Sequence, residues 1–247
     1  MNTPIALQLY SVREELNSDF DNTLARICDM GYTAVESGEF AGDARVQAEK
    51  FEKFGLEVVA AHVRPPVNEN RDHALDFMET VGCRRLVVPW LDPQVYYQSE
   101  SGVRQAIDLL SEAAGNAAQR GMPLYYHNHD FEFGTLNGRL IFDIMRERLD
   151  DSVLFEVDTY WVQTAGQDAA ALVRDLGARA PLLHIKDGPL DRAQPMVALG
   201  DGKMDFKKVI PAGEPYTEWL IVELDRCAGE MMEAVARSHT YLSNLAL

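Results

Sequence analysis

The chain has 247 residues, 47% of them hydrophobic, 25% charged and 9% aromatic, a balance that excludes disorder, collagen and a disulfide scaffold and allows one large buried core. Its 23 basic residues face 39 acidic ones, and the net charge of −16 repels a polyanion, so nucleic acid is not an expected partner. At this length a single α/β barrel of about 200–250 residues accounts for the whole chain, 1–247, as one domain.

From the N-terminus onward, short β-rich apolar runs alternate with segments of helical period. The start, MNTPIALQLYS, has neither the basic region nor the apolar run of a signal peptide, and no segment reaches the roughly 18 apolar residues of a membrane span. A strand at 5–10 precedes a helix at 20–30, and the pairs continue as 34–37 with 43–54, 57–63 with 72–81, and 85–90 with 102–120. The second half follows as 123–129 with 140–149, 153–159 with 168–176, 182–187 with 206–209, and 220–224 with 231–245. One strand per helix implies a parallel sheet, and the near-continuous apolar runs VVAAHV, RLVVPW, SVLFEV and WLIVEL suit strands buried on both faces. Eight such units predict an α/β fold of (β/α)8 TIM-barrel type; the alternative doubly wound sheet lacks its Gly-rich first turn here. After the seventh strand, residues 188–203 form a long Pro/Gly/Asp-rich loop, a candidate substrate lid or wall. Cys28, Cys83 and Cys227 are isolated, form no CxxC pair and read as buried free thiols of a reducing compartment, so a cytoplasmic location is expected.

Ionisable residues gather at the C-terminal ends of the strands, where a barrel builds its active site. Glu36 ends AVES, His62 ends VVAAH, His127 and His129 end LYYHNH, Asp158 ends LFEVD, His184 and Lys186 lie in LLHIKD, and Glu223 ends LIVE. His127, Asp158, His184 and Glu223 come from the fifth to eighth strands, whose ends converge near the axis. Two imidazoles and two carboxylates suit one divalent ion, Mn²⁺, Co²⁺, Mg²⁺ or Zn²⁺. His129 shares the strand face of His127 and competes with it as the ligand. The competing structural explanation is a set of buried ion pairs with His184, Lys186 or Arg226, with the histidines as core residues. Glu36 and His62 are expected to face the ion across the mouth, about a sugar's width away, as an acid or base and as a hydroxyl or phosphate binder. Lys186 is a candidate for binding a substrate oxygen. Glu132, in HDFEF, is a candidate catalytic or metal carboxylate, and Trp161 offers a flat wall of the kind sugars pack against.

GYTAVE and VVAAHV, followed in order by YYHNHDFEF, VDTYWV, LLHIKD, LGDGKMDF and IVELD, resemble the sugar phosphate isomerase/epimerase family, the xylose isomerase-like TIM barrels, over nearly the whole chain. The resemblance implies one divalent metal held by a strand-five Glu, strand-six Asp, strand-seven His and strand-eight Glu. Asp158, His184 and Glu223 match. His127 stands at the Glu position, His129 matches a substrate-contacting His, and Trp161 replaces a His found in many sugar epimerases. The resemblance also implies a homo-oligomer. The HNH form is similar to a subgroup that includes inosose dehydratase-like proteins and relatives connected with 3-keto sugars.

The expected chemistry is proton abstraction next to a carbonyl through a metal-stabilised enediolate on a small keto sugar or polyol derivative. Glu223 is the expected acceptor on one face, and Glu36, Glu132 or His129 acts on the other. Isomerisation, epimerisation and dehydration share this intermediate, so a lyase is the alternative. A metal phosphodiesterase of the apurinic endonuclease type needs a basic DNA surface that the charge opposes, and a non-catalytic sugar-binding barrel would need no ion. The substrate is expected to be unphosphorylated, although Gly200–Lys203 in the strand-seven loop is a candidate phosphate contact.

Overall fold

The structure, a computed structural model, describes residues 3–246. Eight parallel strands close into a barrel in their chain order: β1 (Ile5–Gln8), β2 (Ala34–Gly38), β3 (Glu57–His62), β4 (Leu86–Val88), β5 (Leu124–His127), β6 (Val153–Asp158), β7 (Leu182–Ile185) and β8 (Trp219–Val222). Closure is made by β1 against β8, with Ile5, Ala6 and Leu7 opposite Leu220, Ile221 and Val222. The expected barrel and all eight expected strands are present.

Helices begin where short polar side chains satisfy free amides. Asp43 accepts from Arg45 N and Val46 N at the head of Ala44–Phe54, Ser99 from Gly102 N at the head of Glu100–Ala118, and Asp168 from Ala171 N at the head of Ala169–Leu176. Gly55 and Gly82, at φ of 68° and 77°, end their helices in the left-handed region that glycine enters freely. β4 is shorter than the expected 85–90, since Pro89 has no N–H to continue the ladder. Three short helices, Arg13–Ser18, Pro93–Tyr96 and Thr159–Thr164, and a hairpin of Thr135–Leu136 with Arg139–Leu140 were not anticipated. The hairpin turns on Asn137-Gly138, both at positive φ, the dipeptide such turns prefer.

Because side chains alternate across a strand, residues two apart share a face. Ala6, Ala34, Ala60, Val87, Tyr125, Leu182 and Ile221 form an apolar cluster separate from the one beneath the helices, with Leu154 packed against it. Two residues further along the same strands come Gln8, Glu36, His62, Pro89, His127, His184, Glu223 and, after Leu154, Glu156. The barrel interior is therefore apolar at one level and ionisable at the next.

The 188–203 loop is anchored rather than free. Asp187, fully buried, accepts from Gly188 N and Met204 N through Oδ1 and from Gly200 N and Gly202 N through Oδ2, at 2.8–3.1 Å. A Cβ on Gly202 would collide with Asp187 Oδ1, so glycine is required there. No residue of this loop lines the cavity at the barrel mouth, which corrects the expectation of a lid or wall.

Candidate metal centre

The ends of β5, β6 and β7 are tied together by side chains that the motif residues themselves supply. Asn128 Oδ1 accepts from Asp158 N at 3.0 Å, its Nδ2 donates to Asp158 O at 3.3 Å, and the Thr159 hydroxyl donates to His184 O at 2.9 Å. Asp158 caps Thr159–Thr164, its Oδ1 accepting from Trp161 N at 2.8 Å. Its other oxygen, Oδ2, takes no aligned hydrogen bond but lies 2.9 Å from Lys186 Nζ.

Two overlapping donor sets meet at this point, both fully buried and each with donor atoms within 4.8 Å of one another. The first is His127, Asp158, His184 and Glu223, the set expected from the sequence. The second is His62, His127, Glu156 and His184, and Glu156 was missed. It lies two residues before Asp158 on the same strand face, a signal that period-two alternation carried and the search for strand-end residues passed over. The first set fits a divalent ion: two imidazoles, two carboxylates, and a buried Asp158 oxygen that faces the Lys186 charge without an aligned hydrogen bond.

Lys186 is fully buried, with Nζ 2.9 Å from Asp158 Oδ2, 2.6 Å from Glu223 Oε2 and 2.9 Å from Asp225 Oδ1. Burial alone would lower its pKa, but the carboxylates, Asp158 foremost, outweigh burial and hold it well above the ordinary lysine value. Burial raises Asp158 to about 6 against the Lys186 charge, and pushes His127 down to about 3, with the His184 charge adding to the effect. Despite burial, Glu223 is held well below the usual carboxylate range by Lys186 and His184. Asp158, Glu223 and Asp225 thus surround Lys186 while Glu36 and Glu156 face His184, an excess of carboxylates that a divalent cation would offset.

The remaining expected residues divide. His62 and His129 line the cavity, and burial, with the His127 charge adding to it, holds His129 well below the usual imidazole value. Glu36 does not face the candidate ligand set across a sugar's width. Its Oε2 accepts from Gln8 Nε2 at 2.7 Å and lies 2.6 Å from His184 Nε2, behind the imidazoles and outside the cavity lining. Burial, then the charge of Glu156, raises it to about 7. Glu132 is turned back onto β5, accepting from the Tyr126 hydroxyl and from His129 N, and shapes the HNH turn instead of entering the cluster. Trp161 is buried behind His129 and Lys186 and does not line the cavity. The aromatic walls are Tyr10, Phe40 and Trp90, from the loops after β1, β2 and β4. Tyr10 and Trp90 are 38% and 50% exposed. The cavity measures about 440 Å³, with His62, His127, His129, Glu223 and Asp225 also on its walls. The cysteines are free, as expected, but only Cys83 is fully buried.

Among solved structures, a sugar phosphate isomerase/epimerase from Parabacteroides distasonis ATCC 8503 is similar over 99% of both chains at 22% identity, with a TM-score of 0.84. A protein from Bacillus anthracis named a probable 3-DHS dehydratase AsbF matches over 98% of this chain and 99% of its own, at 12% identity and a TM-score of 0.77. An IOLI protein with a bound zinc atom matches over 96% of both chains at 16% identity and a TM-score of 0.70. No curated protein matches in sequence. The sequence model of one family covers residues 24–243, strands β2 to β8 with all four candidate ligands included, and the chain belongs to that family, the xylose isomerase-like TIM barrels.

Proposed function

We propose that the chain is a divalent-metal-dependent isomerase or epimerase of a small keto sugar or polyol derivative. The observation that carries this reading is the set of four buried donors from the ends of β5 to β8, whose donor atoms lie within 4.8 Å of one another and which open on a cavity walled by His127 and Glu223. His127, Asp158, His184 and Glu223 would hold one Mn²⁺, Co²⁺, Mg²⁺ or Zn²⁺ ion. Such an ion supplies Lewis-acid polarisation of a carbonyl oxygen.

The residues of the chain supply the rest. Glu223, kept as a carboxylate by Lys186 and His184, lines the cavity and is the group that takes a proton from the carbon next to the carbonyl. His129, kept neutral by burial and with Nδ1 unpartnered, is the cavity group that accepts a hydrogen bond from a substrate hydroxyl, or takes a proton on another face and then returns it. Glu36 and Glu132 drop out as proton carriers because other groups hold both carboxylates outside the cavity lining. Return of the proton to the neighbouring carbon isomerises the substrate, return to the opposite face epimerises it, and loss of a β-hydroxyl makes the enzyme a lyase.

An unphosphorylated substrate follows from the cations. Arg64, the cavity arginine, is paired with Glu39 at 3.2 Å, and Lys186 is ringed by carboxylates. The Gly200 and Gly202 amides, candidates for a phosphate, already donate to Asp187. No helix among the described residues is long and apolar enough to cross a membrane, and with three free thiols we place the protein in the cytoplasm.

Incubation with Mn²⁺ and a panel of keto sugars, inososes and ketoses in D₂O tests the reading. Deuterium is expected to enter next to the carbonyl of the true substrate, and product analysis separates isomer, epimer and dehydration product. Asp158→Ala and Glu223→Ala are each expected to abolish exchange and bound metal together. Retention of both in either variant refutes the reading.

A further inference from the structure

Three imidazoles converge on one oxygen of Glu156. Its Oε2 lies 2.9 Å from His62 Nε2, 3.0 Å from His127 Nδ1 and 3.0 Å from His184 Nε2. His127 and His184 belong to both donor sets, but through different nitrogens. Their inner nitrogens, His127 Nδ1 and His184 Nε2, face Glu156. Their outer nitrogens face the other two ligands, His127 Nε2 at 3.7 Å from Asp158 Oδ2 and His184 Nδ1 at 2.8 Å from Glu223 Oε2. An imidazole that gives one nitrogen to a metal keeps its proton on the other, so the two sets compete for the same rings.

At His127 distance separates them, whereas His184 has contacts of hydrogen-bond length on both sides. Hydrogen bonds from N–H to oxygen span about 2.7–3.2 Å, whereas tetrahedral donors held at about 2.0–2.1 Å from an ion stand roughly 3.3 Å apart. All three imidazole contacts to Glu156 Oε2 have hydrogen-bond length. The wider gap lies on the other side of His127, against Asp158 Oδ2. His127 and Glu156 are also register partners on adjacent strands, so the backbone ladder itself sets this pairing.

We propose that Glu156 is a positioning residue: by accepting the inner N–H groups of His127 and His184 it turns their outer nitrogens toward Asp158 and Glu223. Glu36 shares the His184 contact, but of these two carboxylates only Glu156 reaches both rings. This inference rests on the metal-dependent reading above. Carboxylates that hold the far nitrogen of a ligating histidine fix its tautomer, and their loss costs about 10–100-fold in metal affinity.

The test begins with metal-free, ¹⁵N-histidine-labelled protein. Long-range ¹H–¹⁵N correlations are expected to show His127 protonated on Nδ1 and bare on Nε2. Zn²⁺ should then shift the resonances of His127 Nε2 and His184 Nδ1 and leave the inner nitrogens protonated. Loss of the inner protons to Zn²⁺ overturns the proposal, because the ion would then sit on Glu156 itself. In Co²⁺ titrations followed by visible absorption, Glu156→Gln should weaken binding about 10–100-fold, and unchanged affinity also overturns it. If Glu156→Gln fails to fold, the wild-type nitrogen shifts decide alone. Wild-type protein that binds neither Zn²⁺ nor Co²⁺ sinks the metal-dependent reading, while the His127 tautomer still tests Glu156.

Discussion

The two levels of the barrel interior are built from the same strands by different physics. At the lower level Ala6, Ala34, Ala60, Val87, Leu182 and Ile221 fill the space by packing, and each could be exchanged for another apolar side chain of equal volume at small cost. One two-residue step along each strand, the upper level holds Glu36, His62, His127, Glu156, His184 and Glu223. There each group is tolerated only because its neighbours carry complementary charge or hydrogen. The lower level stabilises the barrel, and the upper level draws on that stability to keep an ionic cluster in place. An ionised cluster buried inside a closed sheet needs a rigid apolar floor.

Substitutions can break this contrast, beginning with its most strained point. Lys186→Met leaves Asp158 and Glu223 buried without their cation, and a loss of about 3–5 kcal/mol in urea denaturation is expected. Added Mn²⁺ should restore part of that loss; equal stability with and without the ion would argue against a cation site between those carboxylates. Ile221→Ala, at the lower level, should cost about 2–4 kcal/mol through the cavity it leaves. Its Co²⁺ affinity should match wild type, and a large change there would show that the two levels are not separable.

The smallest effect concerns Glu132, buried beside the cluster and raised by burial to about 7 from its ordinary 4.5. The folded chain binds this proton more tightly than the unfolded chain. The stability Glu132 contributes is therefore fully present below about pH 4.5 and is lost as pH rises toward about 7. Melting temperatures across that window should fall less steeply with pH for Glu132→Gln than for wild type. Parallel curves would mean that Glu132 titrates normally.

How far the site was legible depended on the kind of evidence each residue left. Asp158, His184 and Glu223 stand at strand ends, and strand ends are marked by the change from apolar runs to polar residues; the structure brings all three together with His127. Glu156 sits inside an apolar run, where one acid looks like an interruption, and its role depends on three rings arriving from three other strands. Glu36 and Glu132 were visible as acids, but which way a carboxylate turns depends on partners such as Gln8 and Tyr126 that lie elsewhere in the chain. Trp161 and the 188–203 loop were assigned to the mouth by proximity in sequence, while the cavity opened instead beside the first five strands and the end of the last.

By itself the sequence determined the barrel, because strand and helix periods repeat eight times and no other closure buries that many two-sided strands. It also determined that ionisable groups crowd one end, since alternation and strand length place them there. Only the tertiary structure decided which nitrogen of each histidine faces which carboxylate, that Lys186 is held among three acids, and that Asp187 has already consumed the amides a phosphate would need. Those are questions of a few ångströms between residues far apart in the chain, and local propensity carries no information at that scale.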